Sequence, residues 1–347
     1  MDENVAQLSI LIVSYNTVDK LEACLSSVER WSIAIPYEVL VLDNNSSDGS
    51  SEMVRRKFPN CKVIDFPTNE GYGVAINLGV SQANGNWLMF LNPDIEVTEN
   101  AVNTLTAFAK SHPRAGVIGP RLLNTDGTPQ ASARRFYSVT LSIVEASRLH
   151  LLLPKKLRGK LLFSNYFDQD ETKKVPWLSG ACHLIPRKVW DQVGPLTEET
   201  FCGSDDYDYC YRAWQKGYEV WLCADASMTH HSGIAVKRRW STLELDRVAS
   251  HNFYLVLQSH WPKWRIKALY AAEIVSYLIE ALRHFIKPRR DQNRADCTYG
   301  ELLKLRLKLK LNWLLGREKP MPRFQPPGRS YVQSETPDEQ IEYKPVL

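Results

Sequence analysis

No stretch of the 347-residue chain reaches the roughly 18 consecutive apolar residues of a membrane-crossing helix. A spanning segment is therefore not expected. The opening Met-Asp-Glu-Asn-Val-Ala-Gln has neither a basic lead nor an apolar core, so a secretory signal is not expected either. The seven cysteines (24, 61, 182, 202, 210, 223 and 297) are odd in number and form no C-x-x-C pair. That argues against a disulfide frame or a zinc knuckle and for reduced thiols in a cytosolic chain. A net charge of +4 is too small to argue for nucleic acid. No internal repeat is visible. Two phosphate-binding motifs are missing as well. Gly71-Tyr-Gly73-Val-Ala-Ile76 lacks the third glycine of G-x-G-x-x-G and follows the third strand instead of the first, and G-x-x-x-x-G-K-[ST] occurs nowhere.

What is present is a soluble globular composition, 44% apolar and 24% charged, with enough chain for one large or two small domains. The β-branched-rich run at 8–13 and the apolar run at 87–91 read as buried strands, and 38–42 and 62–66 read as the second and third strands. Helical spacing follows each of the first three, as with Leu21, Leu25 and Val28 behind a Thr17 N-cap. Such alternation predicts βαβ units and a mainly parallel sheet. The loops at the strand ends carry the polar groups: Ser14-Tyr15-Asn16, then Asp43-Asn-Asn-Ser-Ser-Asp48-Gly49, then Asn69-Glu-Gly-Tyr-Gly73.

The fourth run, Trp87-Leu-Met-Phe-Leu-Asn92-Pro93-Asp94, stops at Asn-Pro, where proline cannot continue a ladder. Asp94 is the first carboxylate beyond it, at the sheet edge where open α/β sheets bind ligands. With no glycine-rich cradle, a nucleotide here would be held by loop carboxylates and amides. A cation would then offset the phosphate charge, which points to Asp94.

These segments resemble family 2 glycosyltransferases: Ser-Ile-Leu-Ile-Val-Ser-Tyr-Asn (9–16), Val-Leu-Asp-Asn-Asn-Ser-Ser-Asp-Gly (41–49), Asn69-x-Gly71-x-Gly73-x-Ala75-x-Asn77-x-Gly79, and Asn92-Pro93-Asp94. The resemblance extends over roughly 8–240 and is nearest to bacterial rhamnosyltransferase-like members, which commonly have Asn-Pro-Asp for Asp-x-Asp. It implies a GT-A fold and inverting transfer of a sugar from a nucleotide-diphospho-sugar. Tyr15 and Asp43 would hold the base, Asp48, Asn69, Asn77 and Asn92 would support the donor pocket, and Asp94 would bind Mg²⁺ or Mn²⁺ on the diphosphate.

Further along, Leu122-Leu-Asn-Thr-Asp-Gly-Thr128 reads as a hairpin. Arg134 and Arg135 suit either a phosphate contact or a solvated pair. Residues 138–170 read as a variable, basic, mobile insertion on the acceptor side. Val175-Pro-Trp177-Leu-Ser-Gly180 to Pro186 resembles the family's strand entering the acceptor half. Phe201 to Arg212 then crowds Asp205, Asp206 and Asp208 ahead of Arg212. On a helix Asp208 pairs with Arg212 at i, i+4, and Asp206 points elsewhere. The family pattern Glu-Asp-x-Asp-Leu-x-x-Arg makes Asp206 the catalytic base and sets Asp205 in the position of the usual Glu, with Tyr209 for Leu. The resemblance also implies a histidine that completes the metal site, and His230 is preferred over His231.

From Lys263 to Lys319 there are 14 Lys/Arg against 6 Asp/Glu, a local balance of +8. Residues 266–286 are helical and apolar, but Glu273 and Glu280 argue against spanning. With Trp261, Trp264, Lys287, Arg289 and Arg290 at its ends this stretch has the character of an interfacial helix. Two helices packed on the catalytic domain with solvated basic faces account for the same pattern. Residues 302–315 alternate Leu with Lys or Arg, leaving helix and strand open.

The expected organisation is a catalytic domain at 1–245 (donor half 8–120, acceptor half 121–245), a basic helical region at 246–315 and a Pro-rich disordered tail at 316–347. The expected partners are a nucleotide-diphospho-sugar (best guess dTDP-L-rhamnose), a saccharide acceptor carried on lipid in cell-surface polysaccharide synthesis, and the inner face of the cytoplasmic membrane. A nucleotidyltransferase would instead release pyrophosphate, and an inactive membrane-bound scaffold would turn over no sugar nucleotide.

Overall fold

A computed structural model describes residues 6–147, 149–162, 167–231, 241–286 and 297–317. The first half alternates as expected: β1 (Leu8–Ser14), α1 (Val18–Arg30), β2 (Tyr37–Asp43), α2 (Ser50–Lys57), β3 (Lys62–Asp65), α3 (Tyr72–Gln82) and β4 (Trp87–Leu91). Strand β1 is sealed on both faces, with Leu8, Ile10, Leu11 and Ile12 inaccessible, as its continuous apolar run requires. The chain continues through β5 (Ile95–Val97), α4 (Ala101–Ser111), β6 (Ala115–Leu123), β7 (Ala133–Arg134), α5 (Val139–Ala146) and α6 (Lys155–Leu162). Then come β8 (Lys173–Lys174), β9 (Trp177–Leu178), β10 (Cys182–Pro186), α7 (Arg187–Val193), α8 (Asp205–Gln215) and β11 (Glu219–His230). A last layer holds α9 (Thr242–His260), α10 (Lys263–Ile286) and α11 (Tyr299–Leu314).

One sheet runs in the order β3-β2-β1-β4-β10-β6-β11-β5, with β8 on β11. Strands β3, β2, β1 and β4 are parallel, as are β6 and β11, and β10 is antiparallel to both β4 and β6. In the parallel ladders Ser14 lies opposite Asp43, and Asp43 opposite Asp65. The carboxyl ends of these strands therefore form one level edge, and Asp94 follows β4 at the same edge.

Several expectations are corrected. The segment 175–186 is two strands, because it leaves the ladder at Ser179–Ala181. The hairpin at 122–128 closes its turn and returns with a single bridge, Leu123 to Pro129, flanked by Asn124 N–H donating to Thr128 O at 2.7 Å and Gln130 N–H to Leu122 O at 2.8 Å. Residues 138–170 build α5, a 3₁₀ turn at 149–152 and α6 among the described residues. Leucine alternation notwithstanding, 299–314 is a helix, started by a capping box in which Thr298 and Glu301 satisfy each other's backbone N–H. The cations at 287, 289 and 290, and all but the first two residues of the 316–347 tail, lie outside the described residues.

Helices α9 to α11 share a core of Leu257, Trp261, Ile266, Leu269, Tyr270, Leu309 and Trp313. Arg306 of α11 grips both carboxylate oxygens of Asp246 in α9. Lys310, nearly buried, lies 2.9 Å from Glu273 and over the rings of Tyr270 and Trp313. The two acids that argue against spanning are both engaged, Glu280 with Arg283 and with the Tyr299 hydroxyl. No described helix is long and apolar enough to cross a membrane.

Candidate active site

A cavity of about 460 Å³ opens at the carboxyl edge of the sheet, well within the size range of small-molecule sites. Tyr15, Asn69, Asn92, Asp94, Gly180, Asp205, Asp206 and His230 all line it. The strand ends after β1 and β4 supply Tyr15, Asn92 and Asp94, the β9–β10 break supplies Gly180, and the first turn of α8 supplies the acids.

Asp43 lies at the end of β2, 3% exposed. One of its oxygens accepts from Ser46 N–H at 2.7 Å, and Oδ2 is buried without a partner among the described residues. Burial pushes its carboxyl above the usual range despite the Ser46 bonds. Such an unsatisfied buried oxygen is what a ligand N–H donor would complete.

Asp94 and His230 face each other, Oδ1 to Nε2 at 3.4 Å, both nearly buried. Gln130 donates its Nε2–H to the His230 carbonyl at 2.7 Å, which turns its Oε1 toward His230 Nδ1 at 2.8 Å. Nδ1 is therefore engaged by Gln130, while Nε2 makes no hydrogen bond among the described residues and faces Asp94 across the cavity. That donor set, one carboxylate and one imidazole nitrogen, suits a divalent cation whose other positions are filled by phosphate and water oxygens. Among the described residues no group of three or more His, Cys, Asp or Glu is arranged to hold a metal. The neighbouring His231 is turned to the opposite side, 2.6 Å from Glu96, as period-2 alternation along the strand demands.

On α8 the three acids separate by environment. Asp208 is buried, paired through Oδ2 with Arg212 at 2.8–2.9 Å and through Oδ1 with His260 at 2.7 Å. Burial alone would raise its carboxyl, but His260 and Arg212 outweigh burial and hold it low. Arg212 also donates to the carbonyls of Val193 and Pro195. Asp205, 6% exposed, is driven up to about 7 by burial and then by Asp206 beside it. Asp206 is partly exposed and faces the cavity. Its Oδ2 accepts from Gly180 N–H at 2.9 Å and its Oδ1 from its neighbour's N–H in α8, Tyr207, at 2.8 Å. A Cβ on Gly180 would come within 3.2 Å of the Asp206 Cβ, so glycine permits this approach.

Two expected site residues are committed to the scaffold. Asp48 accepts from Val18 N–H at 2.8 Å and from Ser50 Oγ at 2.6 Å, and thereby caps α1 and α2. Thr17, the expected cap of α1, makes no such bond and contacts Ser14 Oγ instead. Asn77 ties α3 to the loop after α7, accepting from Leu196 N–H at 2.9 Å and donating to Leu196 O at 3.0 Å and Glu198 at 2.8 Å. Neither lines the cavity. Trp177 packs edge-on to Tyr207 and donates to Arg135 O at 2.8 Å. Arg134 stacks over Trp177, and Arg135 pairs with Glu145.

The sequence reading missed part of the wall. Gly71, at φ +92°, sits where a Cβ would meet the Phe201 carbonyl at 2.5 Å, and Asn44 donates to its carbonyl. Leu245, Val248 and Ala249 line the cavity from α9, and Asn252 holds the Cys202 carbonyl at 2.7 Å. The chain beyond 245 therefore helps build the site. The only sequence signal was Ser241-x-x-Glu244, a capping box announcing a helix.

The model of the family described as "Glycosyl transferase family 2" matches residues 9–194. The chain is 28% identical over 270 residues to an N-acetylglucosaminyl-diphospho-decaprenol L-rhamnosyltransferase of Mycobacterium tuberculosis, covering 74% of this chain and 86% of that one. Among solved structures it is similar to a mannosyltransferase of Pyrobaculum calidifontis in complex with GDP-Man and Mn²⁺ (TM-score 0.53, 14% identity, 91% of each chain). It is also similar to GalNAc-T7 with UDP, GalNAc and Mn²⁺ (TM-score 0.54, 18% identity), where it covers 90% of this chain but spans only 57% of the other. Those likenesses establish the GT-A-type fold, with its largely parallel central sheet and added C-terminal helices. The level strand edge, the acids gathered along it and the match over more than half of the chain lead to one assignment: the chain belongs to glycosyl transferase family 2 and is a rhamnosyltransferase-like glycosyltransferase.

Proposed function

We propose that this glycosyltransferase moves a sugar from a nucleotide-diphospho-sugar to a saccharide hydroxyl with inversion, in a single displacement whose base is Asp206. The observation that carries this reading is the division of labour on α8. Asp208 is tied up by Arg212 and His260, Asp205 is buried, and Asp206 alone of the three offers a partly exposed carboxylate to the cavity, on an amide that fixes its direction. Asp206 takes the proton from the acceptor hydroxyl as that oxygen attacks the anomeric carbon and the nucleoside diphosphate departs. Asp43, one residue before the cavity-lining Asn44, receives a base N–H on its unsatisfied oxygen, and Tyr15 contacts the base from the cavity wall. Asp94 and His230 Nε2 would hold Mg²⁺ or Mn²⁺. The cation, when bound, supplies Lewis-acid stabilisation of the leaving diphosphate.

The name of the Mycobacterium tuberculosis relative supports L-rhamnose as the sugar and a lipid-linked saccharide diphosphate as the acceptor; the reading adds dTDP-L-rhamnose as the donor and cell-surface polysaccharide synthesis as the setting, as the sequence motifs imply. Such an acceptor calls for work at the cytoplasmic membrane surface.

Asp206→Asn tests the reading. Transfer should fall by at least about 10²-fold, the range in which a positioned base contributes, while calorimetric donor affinity stays unchanged. Turnover at the parental rate refutes the base assignment.

A further inference from the structure

Helix α10 has two unlike faces. Ile266, Leu269 and Tyr270 are buried, and Glu273 pairs inward with Lys310 of α11. The outer face carries Trp264, Val275, Leu278, Leu282, Phe285 and Ile286, each more than half exposed, with Phe285 at 85%. At 3.6 residues per turn all six fall within an arc of about 100°, and at about 1.5 Å per residue they run some 33 Å along the helix. Ala271 completes the stripe, and the only charged side chains in the exposed class on α10 are Lys263 and Lys267. The adjoining α11 shows Lys304, Lys308, Leu311 and Leu315 at helical spacing on its own exposed side. Soluble surfaces rarely leave so long an apolar stripe uncovered. The exposed charges of α10 itself are basic, and its two acids are engaged by Lys310, Arg283 and Tyr299.

We infer that the outer face of α10 lies in the headgroup boundary of an anionic lipid bilayer, with Lys263, Lys267, Lys304 and Lys308 contacting the headgroups. A narrow apolar stripe whose own exposed charges, Lys263 and Lys267, are cations, with the exposed acid of α11, Glu301, engaged in its capping box, fits an interfacial helix and not a spanning one. A second copy seated along the stripe is the competing occupant, and lipid-free self-association is what the test reads for it. The placement has a consequence for the site: α10 follows α9 after two residues, and α9 lines the cavity and holds Asp208. The inference rests on the proposed lipid-linked acceptor for its purpose but not for its test.

The test is co-sedimentation of the full chain with vesicles of phosphatidylcholine alone and of phosphatidylcholine with phosphatidylglycerol. The parent should bind the anionic vesicles, with the partition coefficient falling but not vanishing in high salt. Leu282→Asp/Phe285→Asp should lose at least about tenfold per side chain, and Phe285→Ala should lose less. Thermal unfolding and calorimetric donor binding, both independent of lipid, establish that each variant is folded. No binding by the parent, equal binding by the aspartate variant, or lipid-free self-association that the same aspartates abolish would each overturn the inference. Vesicle binding without transfer would count against the proposed function and leave this surface standing; transfer to a soluble acceptor without vesicle binding would do the reverse.

Discussion

Gly180→Ala isolates the positioning of the base. The added Cβ would stand 3.2 Å from the Asp206 Cβ and 3.6 Å from its Oδ2. Carbon atoms at rest come no closer than about 3.5 Å, so the carboxylate must retreat by a few tenths of an ångström, about 0.3–0.5 Å. A 1 Å misplacement of a reacting group costs about 10²-fold. Scaled in proportion on the logarithm, this retreat lowers kcat by about 4- to 10-fold, with the KM for donor unchanged. Gly180 does not have a left-handed backbone. Alanine is therefore conformationally acceptable there, and the restricted unfolded chain favours the variant by about 0.4–1 kcal/mol. Activity should therefore fall while thermal stability holds or rises, and Gly180→Val should fall further in rate. Initial rates at saturating donor, beside a melting curve, check both. Parental kcat in both variants would refute the claim that the Gly180 amide aims the base.

His230→Ala should weaken divalent-metal-dependent donor binding by at least about tenfold, and Gln130→Ala by about 10- to 100-fold through the lost orientation of the imidazole. His231→Ala should leave it unchanged; titration of nucleotide sugar with and without Mn²⁺ separates the three. Asn77→Ala should cost about 1–3 kcal/mol of stability with donor KM unaltered, and a raised KM without lost stability would return Asn77 to the donor pocket. Asp205 sits at about 7 when folded and near 4 when unfolded. Its stabilising contribution is therefore full below about pH 4 and lost as pH rises through about 7. Asp205→Asn should accordingly unfold at higher temperature than the parent above pH 7, with the difference vanishing below pH 4; melting curves across that range provide the check.

Much of the fold was legible because β1, β2 and β4 are largely buried apolar runs, with the edge strand β3 only partly buried, and helices separate them, a pattern set by local sequence. The cavity edge was legible for the same reason: Tyr15, Asn69, Asn92 and Asp94 follow strands, and strand ends share an edge. What escaped depends on contacts distant in sequence. Asp48 and Asn77 look like site residues in a motif, yet their partners, Val18 and Leu196, are 30 and 119 positions away. The reversed β10 carries the same apolar pattern a parallel strand would. The wall formed by Leu245, Val248 and Ala249 exists only once α9 is laid across the opening. In 302–315 the leucine alternation matched a strand period, but the Thr298–Glu301 capping box was the more physical signal, since it satisfies helix N–H groups directly.

His260, the last residue of α9, closes the second oxygen of Asp208 from 52 positions downstream. The helical layer and the acid-bearing helix are therefore not interchangeable modules. A hybrid that joins this chain's first 245 residues to another member's C-terminal layer must bring a donor to the same oxygen, or leave a buried carboxylate half-neutralised one turn from Asp205. Acceptor preference and base placement would then be inherited together, as one unit.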